Sequence, residues 1–291
     1  MHLWRHLNSI RICCNKSPFR KLWTYSVKMS ENNKVGTTHL ERTAHNTRNE
    51  ELSAATVTSI RNESPTVKGL TLTLHNKSFK HKAGQWVDTI IPGIETVGGY
   101  SICSPPCKLI QEGKLDLAVK CSDHPPSAWV YHKCKVGDEV SVRVGGDFYY
   151  DPIDDILLDD IILIAGGVGI NPLYSIIQHI KHIRHTSTVL TTLLYSAKTQ
   201  SELIFKKELE DICSSCQYTD VVFNTTQTQS DQNSINFGRI SEDTIRQVVG
   251  KSKPDKITAF ICGPLSMIED VTCILQNCGL DSSKIRFEKW W

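Results

Sequence analysis

The sequence predicts two domains of different classes, an antiparallel β-barrel followed by a doubly wound parallel α/β sheet. Residues 50–152 hold short alternating runs separated by Gly and Pro, which is typical of a small antiparallel barrel. Strand-like and helix-like segments alternate over residues 153–291, which is typical of a parallel sheet covered by helices. A glycine-rich turn at 166–172 follows a buried strand and marks the expected ligand-binding edge of that sheet.

Size and composition limit the possible functions. The chain has 291 residues, of which 40% are hydrophobic, enough for a core in one or two domains. Its net charge of +2 gives no footprint of nucleic-acid binding. No stretch approaches the roughly 18 apolar residues of a membrane span. Cys213 and Cys216 form one close pair, but no second pair completes a four-ligand site, so a helix end is predicted there and no metal.

The first residues predict a leader. Residues 1–30 contain six Arg or Lys and no acidic side chain, and Leu3, Leu7 and Ile10 fall on one side of a helix. This pattern is typical of a mitochondrial transit peptide, and it predicts a location in the matrix. A basic tail without fixed structure is the alternative. Residues 31–49 are polar and poor in apolar side chains, which predicts a linker.

The predicted elements follow from apolar periodicity and from turn residues. In the barrel, strands are expected at 55–60, 68–74, 86–91, 114–119 and 139–144, with a helix at 127–134. In the second domain, strands are expected at 161–165, 188–195, 220–223, 257–262 and 285–290. Helices are expected at 172–183, 201–212 and 264–278, with another after Ser241 as N-cap and a polar loop at 224–237.

The glycine-rich turn has the spacing G-x-G-x-x-P rather than the common G-x-G-x-x-G. Glycines allow a pyrophosphate close to the backbone, and the start of the following helix attracts negative charge. An ordinary tight turn is the alternative. A second turn, Gly263-Pro264, follows the buried strand predicted at 257–262. Both turns lie on one edge of the sheet, which favours a dinucleotide over an ordinary turn. The predicted nucleotide-binding residues are Gly166, Gly167, Val168, Gly169, Ile170, Asn171, Pro172, Gly263 and Pro264.

Four segments in order resemble the ferredoxin–NADP⁺ reductase family of flavin oxidoreductases. They are Gly99-Tyr100-Ser101-Ile102, the stretch 127–140, the turn 166–172, and Cys262-Gly263-Pro264 with Met267. Within that family the chain is most similar to the group of oxidoreductase NAD-binding domain-containing proteins. The resemblance implies a flavin-binding barrel at 50–152 and an NAD-binding domain at 153–291.

The resemblance also implies roles for single residues. Tyr100 would pack against the flavin, Ser101 would offer a hydroxyl near flavin N5, and Ser127 would belong to the phosphate turn. Cys262 would lie beside the hydride path, so Ser101 and Cys262 are the predicted catalytic residues. The alternatives are a core aromatic for Tyr100, a strand-end hydroxyl for Ser101 and a small buried hydrophobe for Cys262. A tryptophan at 290 or 291 would shield the flavin or simply finish the last strand.

Two departures from the family pattern leave the retention of FAD open. Gly98 stands where the family has an arginine that neutralises the flavin phosphates. The phosphate turn reads His124-Pro125-Pro126-Ser127, and prolines lack the N–H that would bind a phosphate. His124 could replace a lost donor or be a solvated loop residue.

The predicted cofactors are NAD, with NADH preferred over NADPH, and FAD. No cation follows the third strand of the second domain before Arg239, which is read as structural, whereas Lys198 argues for NADPH. The predicted function is hydride transfer between nicotinamide and flavin, with electrons passed to an acceptor that the sequence does not name. The alternative is a non-catalytic protein that binds pyridine nucleotides or another protein and has lost its flavin.

Overall fold

The computed structural model describes residues 38–152, 159–183, 189–229, 232 and 234–290. The predicted leader at 1–30 lies outside these residues. From Thr38 onwards the chain forms one compact unit with two six-stranded sheets. None of the helices in the described part combines the length and the apolar character that crossing a bilayer requires.

The chain begins with a short helix, α1 (His39–Arg42), inside the region predicted to be a linker. Thr38 and Glu41 form a capping box, in which each side chain bonds to the backbone N–H of the other. His39 is buried, and Arg48 forms a β-bridge with Gly145 of the first sheet. Residues 38–49 therefore pack against the first sheet. The expectation of a linker, which rested on composition, does not hold for them.

The first sheet is antiparallel and barrel-like, with the order β4-β3-β6-β1-β2-β5. Its strands are β1 (Ser53–Ser64), β2 (Val67–Leu74), β3 (Trp86–Ile90), β4 (Gly98–Ser101), β5 (Lys114–Lys120) and β6 (Glu139–Gly145). Two helices lie in its connections, α2 (Pro106–Glu112) and α3 (Pro125–His132). A single bridge between Ile102 and Leu117 joins the two edges, so the barrel is not fully closed.

The second sheet is parallel throughout, with the order β10-β9-β8-β7-β11-β12. Its strands are β7 (Asp160–Gly166), β8 (Thr191–Ala197), β9 (Thr219–Thr225), β10 (Ile235–Phe237), β11 (Ile257–Cys262) and β12 (Ile285–Glu288). Its helices are α4 (Ile170–Ile183), α5 (Lys206–Ser215), α6 (Glu242–Val249) and α7 (Leu265–Asn277). The predicted fold class, a barrel-like antiparallel domain followed by a doubly wound parallel sheet, is confirmed.

Strand β7 shows why the parallel sheet carries helices on both sides. Ile161, Leu163 and Ala165 pack with α4 and α5, whereas Ile162 and Ile164 pack with α6 and α7. The side-chain period of two directs alternate residues to opposite faces, so an unbroken apolar run suits a strand that is covered twice. Each fully buried Ile or Leu contributes about 1.5–3 kcal/mol.

Several boundaries differ from the sequence predictions. Helix α4 starts at Ile170 after a 3₁₀ turn, Gly167–Gly169, so Pro172 is its third residue rather than its first. The predicted polar loop 224–237 contains β10, and β4 and α2 were not predicted. Helix α5 ends at Ser215 with Cys216 as its C-cap, which is the helix end expected for the cysteine pair.

Helix α4 fixes the glycine turn against the barrel-like sheet through three side chains. The Asn171 amide donates to the Ala118 carbonyl at 2.7 Å, and the Ser175 hydroxyl donates to the Ser104 carbonyl at 2.7 Å. The Gln178 amide donates to the Cys103 carbonyl at 3.0 Å. These buried contacts set the distance between the two sheets where they face each other.

Candidate functional site

A cleft of about 1060 Å³ opens between the two sheets. One wall contains the end of β4 with Tyr100 and Ser101, and the other contains the turns that follow β7 and β11. These turns lie at the carboxyl ends of parallel strands, where open α/β sheets bind their ligands. The volume is slightly above the usual range for small-molecule sites, about 300–1,000 Å³.

Most of the predicted site residues line this cleft. They are Tyr100, Ser101, Ser127, Gly166, Gly167, Val168, Gly169, Asn171, Cys262, Gly263 and Pro264. Ile170 and Pro172 are different, because both are buried in the first turn of α4 and neither lines the cleft. Sequence reasoning included them because they are contiguous with the glycine turn.

Two glycines of the turn are required for different reasons. Gly167 has a φ of 56°, which favours glycine, and a Cβ added there would meet nothing within 4 Å. This position leaves the backbone open towards the cleft. At Gly169 a Cβ would lie 2.2 Å from the Cys262 carbonyl oxygen. Gly169 therefore lets the turns after β7 and β11 touch each other, rather than clearing space for a ligand.

Asn171 carries an unsatisfied acceptor in the wall of the cleft. The residue is 5% exposed, and its amide nitrogen bonds to Ala118. Its Oδ1 has no hydrogen-bond partner within the described part of the chain. Buried polar atoms are nearly always satisfied, so this atom suits a ligand with hydroxyl or amide donors. The ribose and carboxamide of a nicotinamide nucleotide carry such donors.

The cleft is rich in positive charge. Four cationic residues line it, namely Arg42, Lys120, Lys198 and Arg239. Among the described residues, Asp270 is the one acidic residue in this lining. A cleft lined by one sign of charge concentrates ligands of the opposite sign, here polyphosphates. Arg239, which the sequence analysis reads as structural, therefore belongs to the cleft wall. No cluster of three or more His, Cys, Asp or Glu side chains is placed to hold a metal in the described ranges.

Tyr100 and Ser127 meet in the barrel-side wall. The Tyr100 hydroxyl lies 3.2 Å from Ser127 Oγ, and Ser127 is 6% exposed at the start of α3. Burial raises the pKa of Tyr100 to about 12, and the bond to Ser127 opposes this only partly. The phenol is therefore neutral at physiological pH, and its ring supplies an apolar surface.

Glu288 is a site residue that sequence reasoning missed. It lies at the end of β12, and Ser101 Oγ donates to its Oε2 across 3.5 Å, at the long limit of a hydrogen bond. Burial raises the pKa of Glu288 well above its usual range. The strand pattern gave no signal, because a period of two places Glu288 on the face of exposed Arg286.

Cys262 is fully buried next to this carboxyl group. Burial raises the pKa of its thiol well above the ordinary value, and the charge of Glu288 adds to the effect. A thiol that stays protonated does not act as a nucleophile. Cys262 lines the cleft beside the turn after β11, and its role beside the hydride path stays a prediction.

Trp290 lies in the cleft beyond the end of β12. Its ring stacks on His39, with centroids 5.8 Å apart, and meets Trp86 edge-on at 6.1 Å. Its carbonyl accepts a hydrogen bond of 2.9 Å from Arg42 Nη1. Of the two tryptophans that the sequence analysis considered, Trp290 therefore lines the cleft, and residue 291 lies outside the described residues.

A nucleotide-binding sheet edge that faces a barrel-like sheet across a basic cleft defines a class, the oxidoreductases with a ferredoxin reductase-like fold. The family model "Oxidoreductase NAD-binding domain" matches residues 163–272. A solved ferredoxin NADP⁺ reductase from Neisseria gonorrhoeae, with bound FAD and NADP, superposes with a TM-score of 0.68 at 20% identity. The match covers 82% of this chain and 99% of that chain, and at this identity it shows the fold alone.

Closer relatives identify the family. Oxidoreductase NAD-binding domain-containing protein 1 of Danio rerio is 46% identical over 272 residues, which cover 88% of this chain and 98% of the relative. The protein of that name from Homo sapiens is 42% identical over 290 residues, which cover 94% and 90%. The chain belongs to this family of oxidoreductase NAD-binding domain-containing proteins, and the resemblance noted in the sequence is confirmed.

Proposed function

We propose that the protein is a flavin-dependent NAD(P)H oxidoreductase. One observation supports this most directly, namely that a single cleft is lined by both the glycine turns and the Tyr100–Ser101 wall. A nicotinamide and its hydride acceptor must meet at contact distance in a site that excludes water. A bound flavin would supply the chemistry at that point, by taking a hydride and passing electrons on to a separate acceptor.

The residues present fit such a group. Tyr100 and Trp290 offer aromatic surfaces in one cleft, and Ser101 offers a hydroxyl in the same cleft. The buried carboxyl group of Glu288, whose pKa is raised by burial, accepts a hydrogen bond from that hydroxyl. Cys262 is fully buried and excludes water from the space beside Glu288. On the other side, the open backbone at Gly167 and the acceptor of Asn171 suit the pyrophosphate and a ribose or carboxamide.

The choice between NADH and NADPH stays a prediction in favour of NADH. Lys198 and Arg239 both line the cleft beyond the ends of β8 and β10, where the adenosine would lie. Neither forms an ion pair within the described chain, so both are available for a 2′-phosphate. If Lys198 and Arg239 bind the 2′-phosphate of NADPH, a Lys198→Ala and Arg239→Ala double variant should impair the use of NADPH and spare the use of NADH.

The experiment that tests the proposal is a spectrum of the purified protein with added FAD or FMN, followed by anaerobic NADH or NADPH. We expect the protein to bind flavin with a shifted visible spectrum, and we expect NADH to bleach it. A protein that binds NADH but leaves both flavins free in equilibrium dialysis would overturn the proposal. That result would instead favour the non-catalytic nucleotide-binding alternative.

We also propose that residues 1–30 direct the protein to the mitochondrial matrix. The support is compositional, because these residues are basic, free of Asp and Glu, and amphipathic. Residues 1–30 fused to a fluorescent protein should colocalise with a matrix marker. The same fusion with Arg5→Glu and Arg11→Glu is the control and should stay diffuse. Diffuse fluorescence of the unaltered fusion would refute the proposal.

A further inference from the structure

The start of helix α3 is a weak anion site when taken alone. Pro125 and Pro126 occupy its first two positions, and neither has a backbone N–H. The Ala128 N–H is already bonded to the His124 carbonyl at 2.9 Å. Of this first turn, only the Ser127 backbone N–H remains to bind a phosphate. A phosphate here therefore needs a cation from elsewhere in the chain.

Strand β4 leaves no room for that cation. A Cβ added at Gly98 would lie 2.7 Å from Cε2 of Tyr100 and 2.9 Å from Cβ of Pro126. The Tyr100 ring thus covers the space into which a side chain at position 98 would extend. The glycine is part of the packing of this wall, and the missing charge must come from a different segment.

Helix α1 brings a cation to this place. Arg42 lines the cleft together with His124 and Ser127. His39 of α1 lies against Gly99 of β4, and a Cβ at the neighbouring Gly98 would meet Pro126 of α3, so α1 and the start of α3 adjoin the same strand. Burial, followed by the charges of Arg42 and His39, lowers the pKa of His124 and so disfavours its charged form, whereas the guanidinium of Arg42 keeps its charge.

The guanidinium of Arg42 has donors to spare. Its Nη1 donates to the Trp290 carbonyl at 2.9 Å, and no carboxylate pairs with Arg42 in the chain as described. A guanidinium presents five N–H donors in a planar fork that matches the oxygens of a phosphate. The remaining donors are free to bind a ligand in the cleft.

A buried network fixes the position of α1. His39 is 2% exposed, and its ring lies so close to Gly99 that a Cβ there would be 2.1 Å from it. Its Nε2 is 2.9 Å from Oδ1 of Asp88, a fully buried carboxylate that Arg48 and Arg143 also bind. Arg42 is therefore held at the cleft by the core of the barrel-like sheet, and not by a loose tail.

We propose that Arg42 binds the phosphate of a flavin mononucleotide moiety, together with Ser127, and thereby replaces the cation that Gly98 cannot supply. This inference rests on the proposed use of flavin and names the residue that retains it. It assigns helix α1, which precedes the barrel in the sequence, to the cofactor site.

The test compares FMN with riboflavin, which has the same ring and ribityl chain but no phosphate. Dissociation constants follow from quenching of flavin fluorescence, without any turnover. Arg42→Ala should weaken FMN binding about tenfold or more, the usual scale of a charge-assisted contact, and leave riboflavin binding unchanged. Arg42→Lys should recover part of the loss. Arg246→Ala is the matched control, because this exposed arginine pairs with Glu242 away from the cleft.

Each outcome decides between the two proposals. If the unaltered protein binds neither flavin, the proposed function fails and this inference fails with it. If it binds both flavins and Arg42→Ala binds FMN as tightly as before, only the assignment of Arg42 fails. If Arg42→Ala weakens FMN and riboflavin equally, Arg42 acts through the Trp290 carbonyl, which also overturns the inference.

Discussion

Replacing Asp88 by alanine should lower the free energy of unfolding by about 3 kcal/mol, the lower end of the range for breaking a buried charge pair. The Asp88 side chain is fully buried and binds three groups, His39 at 2.9 Å, Arg48 at 3.1 Å and Arg143 at 2.6 Å. Without the carboxylate, these groups would remain together with no counter-charge. Both arginines keep partial access to water, which limits the loss.

Urea denaturation at pH 7 measures this change, with Glu139→Ala as the control. Glu139 lies on neighbouring strand β6, and its side chain is exposed. An exposed ion pair contributes about 0–1 kcal/mol, so this control should stay within that range. Equal effects of the two substitutions would show that the Asp88 network does not stabilise the fold.

The pH dependence gives a second check on the same residue. Burial alone would raise the pKa of Asp88, but bonds from His39 and Arg143 and the charge of Arg48 outweigh it, so the pKa ends below the ordinary value. A pKa lowered on folding stabilises the protein above the unfolded value of about 3.9, and this stability is lost as the pH falls through the folded value. The difference between the original protein and Asp88→Ala should therefore shrink below about pH 4.

The elements that sequence reasoning found are those whose local pattern agrees with their burial. Strand β7 is an unbroken apolar run that is covered on both faces, so its residues predict their own environment. Strand β4 was not predicted, because Gly98 and Gly99 have low strand propensity. Pairing of Tyr100 with Val87 and of Ser101 with Trp86 determines its conformation instead, and that pairing is not local.

The same distinction explains which site residues were predicted. The glycine turns and the Tyr100–Ser101 segment are short motifs that lie at strand ends, so local reasoning reaches them. Arg42 reaches the cleft, and Glu288 contacts Ser101 in its wall, through packing against residues far away in sequence, so neither was predicted. Trp290 was one of two tryptophans considered, and its stacking on His39 is what distinguishes it. The T-x-x-E spacing of Thr38 and Glu41 was the one local signal for α1, and the polar composition around it favoured a linker.

Ser101→Ala should slow the reduction of bound flavin by NADH about a hundredfold, the scale for loss of one donor placed at a reacting centre. Ser101 lines the cleft, and its hydroxyl donates to the buried carboxyl group of Glu288. Removing the hydroxyl takes a donor from the cleft wall and breaks the contact between the wall and Glu288, while leaving the sheet intact. Stopped-flow absorbance under anaerobic single-turnover conditions measures the rate, and the dissociation constant for flavin shows whether binding is preserved.

The chain offers a close control for this substitution. Ser64 donates to Glu202 at 3.1 Å in a second Ser–Glu pair, which lies outside the cleft. Ser64→Ala removes a comparable bond and should leave flavin reduction unchanged. Glu288→Gln keeps the shape of the side chain but no longer titrates, so its rate should lose the pH dependence that Glu288 confers. Equal rates for Ser101→Ala and Ser64→Ala would exclude Ser101 from the hydride step and leave the Tyr100–Ser101 wall with a structural role.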